Sequence, residues 1–156
     1  MMVKVSVIGY GYSAKTFHLP FIESSNQYEL DAISTSRSDE VKSKYPSVSI
    51  YKTADDLITD SKAELVVVTA PNDTHFRLAR LCLEKGRHVV LEKPMVTKSS
   101  EAEELVELAE NQCLVLSVFH NRRWDGDFLT VKKIIEEKSV GDVRYFESHF
   151  DRFRPQ

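Results

Sequence analysis

The chain has 156 residues, 42% hydrophobic, 29% charged and 10% aromatic, with only five Gly and five Pro, a balance that excludes collagen-like, low-complexity and disordered readings. Twenty-one Lys plus Arg against 24 Asp plus Glu give a net charge of −3, which offers no global attraction to nucleic acid or an anionic membrane. A chain of this length buries roughly 68–70% of its unfolded surface, so a core forms without staples.

The first element is a β-branched run, Val3-Lys4-Val5-Ser6-Val7-Ile8, which ends at Gly9 and reads as a strand. A helix is expected over about 13–24, kinked or broken at Pro20. Tyr28–Ile33 is a second strand, followed by the polar turn Ser34-Thr35-Ser36-Arg37-Ser38, a short helix at 39–44 stopped by Pro46, and a short third strand at 48–51. Thr53-Ala54-Asp55-Asp56 has capping-box spacing and opens another short helix.

Leu65–Thr69 is continuously apolar up to its last residue, as a strand covered on both faces should be. Apolar residues then recur at helical spacing from Asn72 to Lys85, and Gly86 stands as the stop. His88–Leu91 is a fifth strand. Ser100 and Glu103 predict a second capping box for a helix reaching about Asn111, and Leu114–Val118 is a sixth strand. Six strands alternating with helices predict a doubly wound parallel α/β sheet with helices on both faces, order 3-2-1-4-5-6, over residues 1–120.

Residues 121–156 read as a connecting helix at about 125–138 and a strand over Val143–Phe150, the first of a further α/β domain that the chain breaks off from. An orphan strand of that kind leaves an edge open to a second copy or to the missing domain. Cys82 and Cys113 both sit in apolar company and read as reduced core thiols; neither has a Cys or His at ligand spacing, so no metal site is expected. Nothing resembles a leader, and no apolar run approaches the ~18 residues of a membrane span, so the expected location is cytoplasmic.

Gly9-Tyr10-Gly11-Tyr12-Ser13-Ala14 fits G-x-G-x-x-A between a strand and a helix. Gly9 would make the tight turn, Gly11 would let a pyrophosphate approach the backbone, and Ala14 would pack helix on strand; Tyr10 and Tyr12 would wall the loop. The same letters alone also describe a plain βα turn, but the place at the first crossover favours a dinucleotide site. At the end of the second strand stand Thr35, Ser36 and Arg37 where an NAD site would carry an acid. Two hydroxyls and a guanidinium suit a ribose 2′-phosphate, so NADP is expected over NAD. Asp31 has the nominal spacing for a ribose acid but falls mid-strand.

Glu92-Lys93-Pro94 follows the fifth strand, at the edge where α/β enzymes place working residues. An ammonium there could bond a substrate hydroxyl and stabilise developing alkoxide charge; a surface Glu–Lys pair would carry the same letters. Pro94 is a candidate for a cis bond.

The glycine loop with Phe17-His18-Leu19-Pro20, Thr69-Ala70-Pro71-Asn72 with His75, Gly86-Arg87-His88-Val89, Glu92-Lys93-Pro94 and Asn121-Arg122-Arg123-Trp124-Asp125 are five motifs in one order. Together they resemble the Gfo/Idh/MocA oxidoreductases, with the Phe-His-x-Pro and Ser-Thr-Ser-Arg variants similar to the NADP-using branch that includes scyllo-inositol dehydrogenases. The resemblance implies reversible hydride transfer between NAD(P) and a CH–OH group of a sugar, cyclitol or related polyol. It makes Lys93 the active-site lysine, positioned by Glu92 and Pro94, and sets Thr69, Ala70, Pro71, Asn72 and His75 beside the cofactor. Arg122, Arg123 and Trp124 would lie near the nicotinamide or the substrate mouth.

In that family a substrate domain carrying an Asp-x-x-x-His helix follows the nucleotide domain, so these 156 residues are expected to bind cofactor without efficient turnover. His149 reads as structural and His120 as a candidate contact to cofactor or substrate. A non-catalytic NAD(P)-sensing module is the competing reading, and a glycine-loop methyltransferase a weaker one. Nucleic-acid binding has little support, because Arg122-Arg123 and Arg152/Arg154 are local clusters.

Overall fold

A computed structural model describes residues 2–153. The chain divides into two compact units, residues 1–119 and 120–156.

The first unit is a single parallel sheet of six strands in the order β3-β2-β1-β4-β5-β6. Its strands are β1 Val3–Ile8, β2 Tyr28–Ser34, β3 Ser49–Tyr51, β4 Leu65–Val68, β5 His88–Leu91 and β6 Leu116–Val118. The helices between them are α1 Leu19–Ser24, α2 Ser38–Lys44, α3 Ala54–Asp60, α4 His75–Glu84 and α5 Ser99–Asn111. Alternate strand residues point to opposite faces, and they sort into two cores accordingly. Val5, Val7, Ile33 and Val67 pack with Leu19 and Ile22 of α1 and Val41 of α2. Ile8, Ala32, Val66, Val68, Val89 and Leu91 pack with Leu57 and Ile58 of α3, Leu78, Ala79, Cys82 and Leu83 of α4 and Leu105 and Ala109 of α5. Central strands buried on both faces are why the sequence there reads as continuous Val and Leu.

The helix expected at 13–24 is continuous, but its middle is a wide π turn, Ala14–His18. Pro20 does not break it; it is the second residue of α1, directly after the π turn, whose widened ladder runs up to the proline. Thr53 caps α3 by accepting from the Asp56 amide at 3.1 Å. Ser100 caps nothing. Helix α5 starts at Ser99 with Lys98 at the cap position and no side-chain cap, and the Lys98 ammonium reaches Glu101 instead. Gly86, at φ +71°, ends α4 as its sequence position predicts. Cys82 is buried as expected, but Cys113 is exposed, on a backbone with φ +54°.

In the second unit a short 3-10 turn, Asn121–Trp124, leads into α6, Gly126–Glu136. The strand expected over Val143–Phe150 does not form: no strand occurs among the described residues of this unit. Alternation makes a segment able to pair, but a strand exists only where a neighbour supplies a ladder. Arg154, grouped with Arg152 in the sequence, lies outside the described residues. Among the described residues no helix is long and apolar enough to cross a membrane.

Candidate cofactor-binding site

The loops that carry Gly9–Ala14, Thr35–Arg37, Thr69–Asn72 and Glu92–Pro94 all leave the sheet at its carboxyl edge. Beyond the last residue of β1, β2, β4, β5 and β6 the parallel ladder runs one step further. Gly9 N–H donates to the Ser34 carbonyl, Thr35 to Tyr51, Thr69 to Ile8, Glu92 to Val68 and Phe119 to Leu91. The carboxyl edge of β1, β2, β4 and β5 therefore presents Gly9, Thr35, Thr69 and Glu92 side by side. The chain order reverses between β1 and β4, which makes a crevice at this edge.

Gly9 has φ +96°, and a Cβ on it would come within 2.8 Å of Thr69 Oγ1 and 3.1 Å of the Thr69 carbonyl. Thr69 fills that space and donates its hydroxyl to the Ile8 carbonyl at 2.8 Å. Gly11 is different: a Cβ there would meet nothing within 4 Å. Its bare backbone opens on free space at the start of the first helix, where the leading amides lack intrahelical partners. This is the fit a pyrophosphate needs. Ala14 is fully buried between helix and sheet.

The two tyrosines part company. Tyr10 is 4% exposed and packs edge-on to Tyr45 in the core, so its ring walls no loop. Tyr12 is exposed and stands edge-on to Phe17. At the end of β2 the Arg37 amide donates to Thr35 Oγ1 at 3.0 Å, and the Arg37 guanidinium reaches the Tyr10 carbonyl at 3.3 Å. The exposed Ser36 and Arg37 thus sit beside the glycine loop. Asp31 is spent elsewhere, accepting from the Lys62 amide at 3.0 Å.

Pro71 and Asn72 are exposed after β4, and Asn72–Thr74 forms a 3-10 turn before α4. His75 does not border open space. It is 0% exposed, with Nδ1 2.8 Å from the Pro94 carbonyl and Nε2 2.9 Å from the Ala70 carbonyl. Its ring ties the loop after β4 to the loop after β5. The Lys93–Pro94 bond is cis, and Lys93 is exposed.

Glu92 turns inward. Its Oε1 accepts from the Ser13 hydroxyl and from His18 Nε2, the latter at 3.0 Å, while Oε2 accepts from the Lys93 amide at 3.1 Å. Burial pushes its carboxyl up, but the hydrogen bonds from Ser13, His18 and the Lys93 amide outweigh that and hold it below the ordinary 4.5. His18, 5% exposed and tilted against the Phe119 ring at 4.3 Å, belongs to this cluster. The sequence offered it only as part of a motif, with no sign of a partner 74 residues away.

Arg122, Arg123 and Trp124 lie in the second unit. There Arg122 pairs with Asp125 at 2.7 Å and lies over the Phe150 ring, while Trp124 is 78% exposed. His120 is exposed, and His149 pairs with Glu147.

A sequence profile described as an oxidoreductase family with an NAD-binding Rossmann fold matches residues 3–120. The chain belongs to the Gfo/Idh/MocA oxidoreductase family. It is 51% identical over 154 residues to the uncharacterized oxidoreductase YdgJ of Escherichia coli K12, covering 99% of this chain and 44% of that protein. It is 40% identical over 154 residues to the scyllo-inositol 2-dehydrogenase (NADP(+)) IolW of Bacillus subtilis 168, covering 99% and 43%. A crystal structure of an oxidoreductase from Bacillus cereus superposes with a TM-score of 0.89 at 33% identity, covering 99% of this chain and 45% of that one. The chain spans less than half the length of these relatives. Within the Gfo/Idh/MocA family, then, this is an NAD(P)-binding Rossmann domain.

Proposed function

We propose that this domain binds NADP and serves a dehydrogenase that moves hydride between the cofactor and a CH–OH group of a cyclitol, sugar or related polyol. The carrying observation is the meeting of Arg37 with the glycine loop, its guanidinium 3.3 Å from the Tyr10 carbonyl. That places a forked cation next to the bare backbone of Gly11, with the hydroxyls of Thr35 and Ser36 alongside. A pyrophosphate on the helix amides and a 2′-phosphate on Arg37 would both be held by charge-assisted hydrogen bonds. IolW, which is named for NADP and scyllo-inositol, supports the same reading by its likeness.

Bound NADP would supply the carbon that exchanges hydride. The chain's own part is to grip the phosphates through the amides after Gly11 and to border the adenosine with Thr35, Ser36 and Arg37. Thr69, Ala70, Pro71 and Asn72 would line the crevice, with Glu92 and Pro94 setting the turn that presents Lys93. The exposed Lys93 ammonium would hydrogen-bond the substrate oxygen and stabilise the negative charge that develops there as the hydroxyl proton is lost to a base, the charge that then collapses into the carbonyl as hydride passes from carbon to the cofactor. Arg122, Arg123 and Trp124 are proposed to approach the substrate side. Residues 1–120 are taken as the nucleotide domain and 121–156 as leading into a substrate domain. The curated relatives are more than twice as long as the matched region, so cofactor binding rather than turnover is the activity expected of these 156 residues.

The test is a fluorescence titration with NADPH and NADH. Tighter binding of NADPH supports the reading; equal or tighter binding of NADH overturns the NADP preference, and no binding of either at millimolar concentration overturns the whole.

A further inference from the structure

We propose that Ser13 and His18 are positioning residues that act through Glu92, locking the turn that carries Lys93 to the helix that follows the glycine loop. The proposal rests on the reading of Lys93 given above, but the contacts that carry it belong to the protein alone.

Glu92 follows β5, and β4 lies between it and β1. Its carboxylate nonetheless bonds to the helix that follows β1, and its side chain is only 13% exposed. One oxygen takes both Ser13 and His18; the other takes the amide of Lys93. The backbone of Lys93 is thereby fixed to a group whose position is set by the first helix. His18 cannot swing away easily, since its ring is 5% exposed and rests against Phe119.

The π turn makes this possible. Residues five apart on an α-helix point about 140° away from each other. Here the Leu19 amide donates to the Ala14 carbonyl, five residues back. That wider turn draws Ser13 and His18 to one side, and both reach the same oxygen. Insertions of this kind recur at functional sites. The Glu92 carboxyl is held in its anionic form by these donors, which suits it as a triple acceptor. Seating phosphate at the helix start and orienting Lys93 become one mechanical event.

The test measures hydrogen exchange at the Lys93 amide by NMR in the whole 156-residue chain without cofactor. His18→Leu should speed exchange by about tenfold, the effect of losing a hydrogen bond to a charged group. His18→Gln, whose amide N–H can still donate to Glu92, should restore most of the protection; a purely space-filling role would not distinguish the two. Unchanged exchange in folded His18→Leu, or no rescue by His18→Gln, overturns the proposal. Should His18→Leu fail to fold, Ser13→Ala carries the same comparison, with faster exchange expected and unchanged exchange decisive against it. Failure of the wild-type chain to bind NADPH would remove the cofactor reading, while the cofactor-free exchange rates would still decide this one.

Discussion

Gly9 and Thr69 stand so close that one side chain more would not fit: a Cβ on Gly9 would lie 2.8 Å from Thr69 Oγ1. At Gly11 the same atom would find open space. The two glycines of one motif therefore answer differently to the same change. Gly9→Ala forces a Cβ into a backbone with φ +96° and should cost about 1–3 kcal/mol of stability, seen as a lower denaturation midpoint. Gly11→Ala should leave the midpoint nearly unchanged yet weaken NADPH binding by about tenfold or more, because its methyl occupies the space where the pyrophosphate approaches. Equal stability losses at both positions would contradict this division.

Arg37 is expected to discriminate between the cofactors. Arg37→Ala should weaken NADPH binding by roughly 10–100-fold, the range for losing a hydrogen bond to a charged group. NADH binding should change little. Parallel titrations with both cofactors check this, and an equal loss for both would place Arg37 on the shared pyrophosphate instead.

His75 should prove structural. Replacing it by Leu removes the ring that faces the carbonyls of Ala70 and Pro94. Leaving such a carbonyl without its donor costs about 1–3 kcal/mol. Urea denaturation of His75→Leu should show that loss, with NADPH affinity falling only as far as the two loops loosen.

Glu92 sets an acid limit on stability. Its folded carboxyl lies below the ordinary 4.5, so folding favours the anion. That stabilisation is complete above pH 4.5 and disappears as acid protonates the folded carboxylate. Glu92→Gln should melt lower than the wild type near neutrality, and the gap should close as the pH falls below 4.5. Melting curves that stay parallel across that range would show that the Ser13 and His18 contacts do not favour the charged form.

The sheet was legible because its signals are local. Apolar runs such as Leu65–Val68, stops such as Gly86 and caps such as Thr53 act over a few residues, and the strand order follows from the alternation they spell out. The edges of the site were less so. Nothing near His75 in sequence says that its ring is claimed by carbonyls 5 and 19 residues away. The π turn meets Glu92, far along the chain, through Ser13 and His18, a contact that no local pattern announces. Tyr10 reads as a loop residue, yet its ring is taken by the core through Tyr45. Ser100 shows the reverse failure, a complete local pattern that the helix bypasses by starting at Ser99. The segment 143–150 alternates as a strand should, but pairing is a property of neighbours, not of one segment.

The two thiols differ in a way that experiments can exploit. Burial pushes Cys82 up to about 12, whereas Cys113 is exposed. A maleimide dye at neutral pH should therefore attach once, at Cys113, with mass spectrometry showing a single adduct. Cys113 lies just ahead of β6, at the end of the sheet remote from the glycine loop. The protein thus comes with a built-in attachment point for a fluorophore or a surface tether that leaves the nucleotide crevice clear.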